Sequence, residues 1–114
     1  MPLQCHFVVS SDKKNPVIHP TECWQKQRGI NYPYPSGHNY VESIGICITG
    51  DFSNDPPDKE KFRALVILVK ELQKTFDVNA DSVYLQKELD PASRIPGKAF
   101  PTTLFNSNLL RLED

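Results

Sequence analysis

The run from Phe62 to Phe76 limits what this chain can become more than any other stretch. Phe62, Leu65, Val66, Val69, Leu72 and Phe76 recur at helical spacing, which gives a helix with one apolar stripe. Pro56 and Pro57 precede the pattern, and Asp58 stands where an N-cap or first-turn acid belongs. Ile67 and Leu68 widen the stripe, which suits packing on a sheet. Such a helix cannot bury its stripe alone, so the rest of the sequence has to supply the opposing layer.

Strand patterns supply it. Between Leu3 and Ser10, Cys5, Phe7 and Val9 alternate with His6, Val8 and Ser10, the period of a strand. The polar stretch 11–16 reads as a hairpin loop, and Val17–Trp24 as a second strand. Pro20 has no N–H to donate, so that strand belongs at an edge or carries a bulge. Ser43–Gly50 is a near-continuous β-branched run, predicting a central strand covered on both faces. Val83–Gln86 reads as a short buried strand. Thr102–Leu112 reads as a short helix with Leu104, Phe105, Leu109 and Leu112 on its apolar face. Residues 25–42 hold Gly29, Pro33, Pro35 and Gly37 among Tyr32, Tyr34 and Tyr40, and read as a long ordered loop that lines something. The expected architecture is α/β: a mixed sheet with a long amphipathic helix and a C-terminal helix, in one domain spanning 1–114.

Thirteen basic and 14 acidic residues give a net charge of −1, which leaves no electrostatic footprint for nucleic acid and no polybasic patch for a membrane surface. No apolar run is long enough to span a bilayer, and Met1–His6 lacks the basic and apolar segments of a secretion signal, so a cytoplasmic location is expected. Cys5, Cys23 and Cys47 are an odd number without a Cys-x-x-Cys pair, predicting reduced thiols rather than disulfides or a thiolate metal knuckle.

Several blocks carry a family resemblance. Ser43-Ile44-Gly45-Ile46-Cys47-Ile48-Thr49-Gly50-Asp51-Phe52, preceded by Gly37-His38-Asn39, resembles the central strand of zinc-dependent N-acetylmuramoyl-L-alanine amidases and peptidoglycan recognition proteins. Cys5-His6-Phe7-Val8-Val9 is similar to that family's Tyr-His-Phe strand, and Trp24 to Gln27 to its Trp-x-x-Gln. The long helix followed by Val83–Glu88, then Ile95-Pro96-Gly97 with Phe100-Pro101, completes the order and covers nearly the whole chain.

The resemblance implies an amidase-like fold lacking its first strand and helix, and with them one zinc-binding histidine. It places the second histidine at Gln86, the cysteine ligand at Ile95 and the tyrosine that assists at the scissile carbonyl at Cys5. Ser93 stands two residues before the cysteine position, and Tyr34 falls near a further loop histidine. An amide is a poor zinc ligand and an alkyl chain is none, so no metal and no cofactor are expected. The implied protein is a catalytically inactive relative that binds a muropeptide or another small molecule in the former peptidoglycan groove, through Cys5, Tyr34, His38, Asn39, Gln86 and Ser93. Two alternatives stand beside it. One is an interaction module, a homo-oligomer or a protein partner's companion, working through a sheet edge that the missing strand leaves open. The other is a hydrolase with a non-standard site, such as a Cys5 nucleophile with His38 as base.

Overall fold

Strand β1 (Phe7–Asp12) is the middle of the main sheet. The structure is a computed structural model that describes residues 5–12, 15–33, 40–89 and 92–112. Strand β2 (Asn15–Pro20) runs antiparallel to β1, with Phe7 opposite Pro20 and Asp12 opposite Asn15. Helix α1 (Glu22–Gln25) follows, then β3 (Ile30–Pro33) and β4 (Tyr40–Ser43), which pair with each other as a separate antiparallel ribbon. Strand β5 (Ile46–Ile48) returns to the main sheet parallel to β1, giving the order β2-β1-β5. Helix α2 (Lys59–Phe76), a single 3₁₀ turn (Ala80–Ser82), α3 (Gln86–Leu89) and α4 (Thr102–Asn108) complete the chain. The described residues form a small mixed α/β domain with a three-stranded mixed sheet and four helices.

The helix forms where the periodicity places it. Asp58 is its N-cap, with the carboxylate accepting the Lys61 N–H at 2.9 Å. Asp77 ends it in a left-handed conformation (φ 56°), a region that Asp tolerates. Leu65, Val66 and Val69 are buried against Val9, which is fully enclosed, and against Phe52, Phe100, Phe105 and Leu109. Each such side chain contributes roughly 1.5–3 kcal/mol. Ile67 does not join this face: it is half exposed.

Gln73, by contrast, is almost completely buried within the helix's apolar stripe. Its Nε2 donates to the carbonyls of Val78 (3.0 Å) and Leu110 (2.9 Å), and its Oε1 accepts the Leu110 N–H (2.9 Å). Asn79 adds a bond from the Leu112 N–H to its Oδ1 (3.0 Å). The amide thereby holds the C-terminal strap, 109–112, in extended form against the end of α2.

Five expectations need correction. The second strand stops at Pro20, and Glu22–Gln25 turns into a helix that inserts Trp24 between Phe7, His6 and Phe76. The long loop contains the β3–β4 ribbon. Ser43–Gly50 is not one central strand: Ser43 belongs to β4, and β5 is an edge strand with half-buried side chains. Val83–Leu85 is irregular, and Gln86 opens α3, because Glu88 reaches back to the Leu85 N–H (2.7 Å) and caps a helical turn. Helix α4 ends at Asn108, since the strap finds its backbone partners on Gln73 and Asn79, and Leu104 is left half exposed.

Replacing Gln73 with methionine keeps the volume and orphans the Val78 carbonyl and Leu110 N–H. Urea unfolding should show a loss of about 2–4 kcal/mol without a change in m. A loss under about 0.5 kcal/mol contradicts the clamp.

Candidate functional site

Helix α2 packs mainly on β2 and β1, and the side chains of Ile46 and Ile48 on edge strand β5 pack against the core that its apolar stripe belongs to. Residues from 83–89 and 92–97 form the opposite wall. Between them is a groove of about 970 Å³. Ile44, Ile46 and Ile48 form its sheet side, Leu65, Val69 and Leu72 its helix side, and Leu85, Gln86, Arg94 and Ile95 the facing wall.

Backbone contacts fix that wall. Gly97 has φ 113°, and a Cβ there would stand 2.6 Å from the Phe52 carbonyl oxygen, so glycine is required on both counts. The same carbonyl accepts the Ala99 N–H at 2.8 Å. Lys87 donates its N–H to Ile95 O (3.0 Å), and the Ser93 hydroxyl oxygen accepts the Ile95 N–H (3.2 Å). At the end of β5, Lys61 Nζ donates to Thr49 O (2.6 Å) and Thr49 Oγ1 (3.1 Å), tying the first turn of α2 to the sheet. Asp51 nearby accepts both the Ser53 hydroxyl (2.6 Å) and N–H (3.0 Å), and these bonds hold its carboxyl below the usual carboxylate range.

His6 locks the start of the sheet side. It is buried, its Nδ1 accepts the Gly45 N–H at 3.1 Å, and its Nε2 donates to Arg28 O at 2.7 Å. With both ring nitrogens committed, His6 braces the backbone and is not free to act on a ligand. His19 is exposed, and its Nε2 lies 3.1 Å from the Ser10 hydroxyl.

Of the residues singled out in the sequence, Gln86 lines the groove, and its amide has no hydrogen-bond partner among the described residues. Ser93 supports the wall without lining it. Cys5 is half-buried just before β1, and Cys47 lines the groove. Tyr34, His38 and Asn39 lie outside the described residues. Arg94 and Trp24, which the sequence does not mark as site residues, also line the groove. Arg94 sits in a loop without periodicity, so nothing in the pattern could have marked it.

The chemistry of this set is that of a binding surface. Burial, then the hydrogen bond and charge of Cys5, push the Cys47 thiol up to about 12. It is therefore a neutral, weak nucleophile near neutrality. Gln86 and Ile95, the positions where the resemblance puts zinc ligands, offer an amide and an alkyl chain. No three His, Cys, Asp or Glu side chains gather as a metal ion would need among the described residues. The residues present do not fit zinc. Among the described residues no helix is long and apolar enough to cross a membrane. Comparisons with protein-family models, with curated proteins and with solved structures each found no match.

The folded state holds the Cys47 proton more tightly than the unfolded chain, whose thiol has the ordinary value of 9.0. The corresponding stability is complete below that value and is lost as pH rises through it toward about 12. At pH 8, iodoacetamide should label Cys47 at least about tenfold more slowly in the native protein than in urea. Equal rates, read by peptide mass spectrometry, contradict this environment.

Proposed function

We propose that this protein is a non-catalytic binding protein whose site is the groove beside β5. The observation that carries the reading is the groove itself. Its volume of about 970 Å³ suits a ligand-sized occupant, its lining is mainly apolar, and Gln86 and Arg94 supply polar groups with no partner of their own among the described residues. The sequence resemblance to the amidase and peptidoglycan recognition family adds a ligand class: a muropeptide, or another small molecule with an amide-rich polar part. The amidase-like fold is part of this proposal. The substitutions at Gln86 and Ile95 support binding without zinc-dependent hydrolysis, and the neutral Cys47 thiol adds no nucleophile.

Trp24 is the chain's one tryptophan and lines the groove, so its fluorescence reports occupancy directly. An anilinonaphthalene sulfonate probe should bind the native protein at one site, and a purified muropeptide should displace it without being cleaved. Ile95→Trp, at a half-exposed position on the rim, should fill the mouth and weaken both ligands at least about tenfold while leaving the unfolding midpoint unchanged. Absence of single-site probe binding overturns the groove. Zinc-dependent cleavage of the muropeptide, abolished by chelator, overturns the non-catalytic reading.

A further inference from the structure

The two edges of the main sheet are built differently. Strand β2 carries Pro16 and Pro20 and is mostly exposed, and proline is a usual protection of an outer strand. Strand β5 carries Ile46, Cys47 and Ile48, with no proline, no charge and no bulge.

Its hydrogen bonding is one-sided. Gly45 O accepts the N–H groups of His6 (2.7 Å) and Phe7 (3.2 Å), and the Thr49 N–H donates to Val9 O (2.9 Å). The register pairs Cys47 with Val8 between these points. In a parallel ladder alternate residues face the same neighbour, so residues 45, 47 and 49 face β1. Ile46 and Ile48 therefore aim their N–H and C=O groups the other way, over the groove. Those four groups have no partner among the described residues.

The surroundings specify what would satisfy them. The side chains of Ile46 and Ile48 pack toward the core, on the α2 face of the sheet. A chain laid beside β5 would turn every second side chain onto the same face, against Val69 and Leu72. On the facing wall Arg94 carries no ion pair among the described residues. An uncompensated guanidinium there favours a carboxylate on the occupant.

We propose that the groove also takes an extended peptide segment of a partner protein, in competition with the small ligand. The segment adds to β5 as a fourth strand, with apolar side chains at alternate positions and an acidic residue that meets Arg94. Backbone pairing supplies the attachment, and the apolar pockets and Arg94 supply the selectivity. The inference rests on the groove being the binding site and names its partner class.

The test selects the full-length protein against a displayed library of random heptapeptides. Enriched sequences should alternate apolar residues, contain at least one Asp or Glu, and lack a central proline. Synthetic copies N-methylated at the residues that bond to Ile46 and Ile48 should lose at least about tenfold in affinity, and copies methylated at the intervening residues should not. Arg94→Glu should shift the preference to Lys or Arg. On the protein side, Ile48→Pro removes an outward-facing N–H without touching a β1 ladder bond, and it also trims the Ile48 side chain from the core. With circular dichroism and the unfolding midpoint showing the variant folded, peptide binding should be abolished. Ile48→Val, which keeps the N–H, should retain it.

No enrichment overturns the proposal, and so does enrichment of peptides indifferent to N-methylation. In the second case, peptides that still displace the sulfonate probe leave the groove as a binding site and remove only the strand. A stable dimer in light scattering that Ile48→Pro dissociates would assign the edge to a second copy of this chain instead.

Discussion

Strand β1 is the constraint on which the rest of the structure depends. It pairs on both sides, places fully enclosed Val9 at the centre of the core, and receives α2 on one face. Its parallel pairing with β5 begins at Gly45, and His6 holds that junction by bonding to Gly45 on one ring nitrogen and to the chain after α1 on the other. One buried imidazole thus sets where β5 starts, how Trp24 sits over Phe7, and which way the outer backbone groups of β5 point.

The groove follows from an asymmetry in that arrangement. The 18-residue helix α2 packs mainly on β2 and β1, while β5 lies at the edge of the sheet and lines the groove. Residues 83–89 and 92–97 form the far wall, held by backbone bonds, one obligatory glycine and the packing of Val83 and Leu85 on the core. On this wall Gln86 and Arg94 face the cavity. The result joins an apolar trough to an unsatisfied strand edge. In other proteins such edges are blunted by charge, proline or a covering element.

Local pattern made some of this legible in the sequence. The amphipathic stripe located α2, Asp58 marked its start, Pro20 marked an edge strand, and the alternation around Phe7 and Val9 marked β1. What failed depended on partners far away in the chain. Gln73 reads as a surface residue until Leu110 and Val78 come to meet it. Val83–Leu85 has strand composition, but Glu88 caps a helical turn instead, and the β-branched run 43–50 is divided between two sheets. For the site, Gln86 was legible through the family resemblance and lies in the groove, Ser93 proved to be a support, and Arg94 left no signal. Tyr34, His38 and Asn39 fall outside the described residues.

The central claim is that the outer edge of β5 is open in the free protein. Amide hydrogen exchange, resolved residue by residue by NMR, tests it most directly. The account predicts that Cys47 and Thr49, bonded to β1, exchange slowly, and that Ile46 and Ile48 on the same three-residue strand exchange orders of magnitude faster. Equal protection at all four amides would mean that the edge is already covered, and would contradict the account.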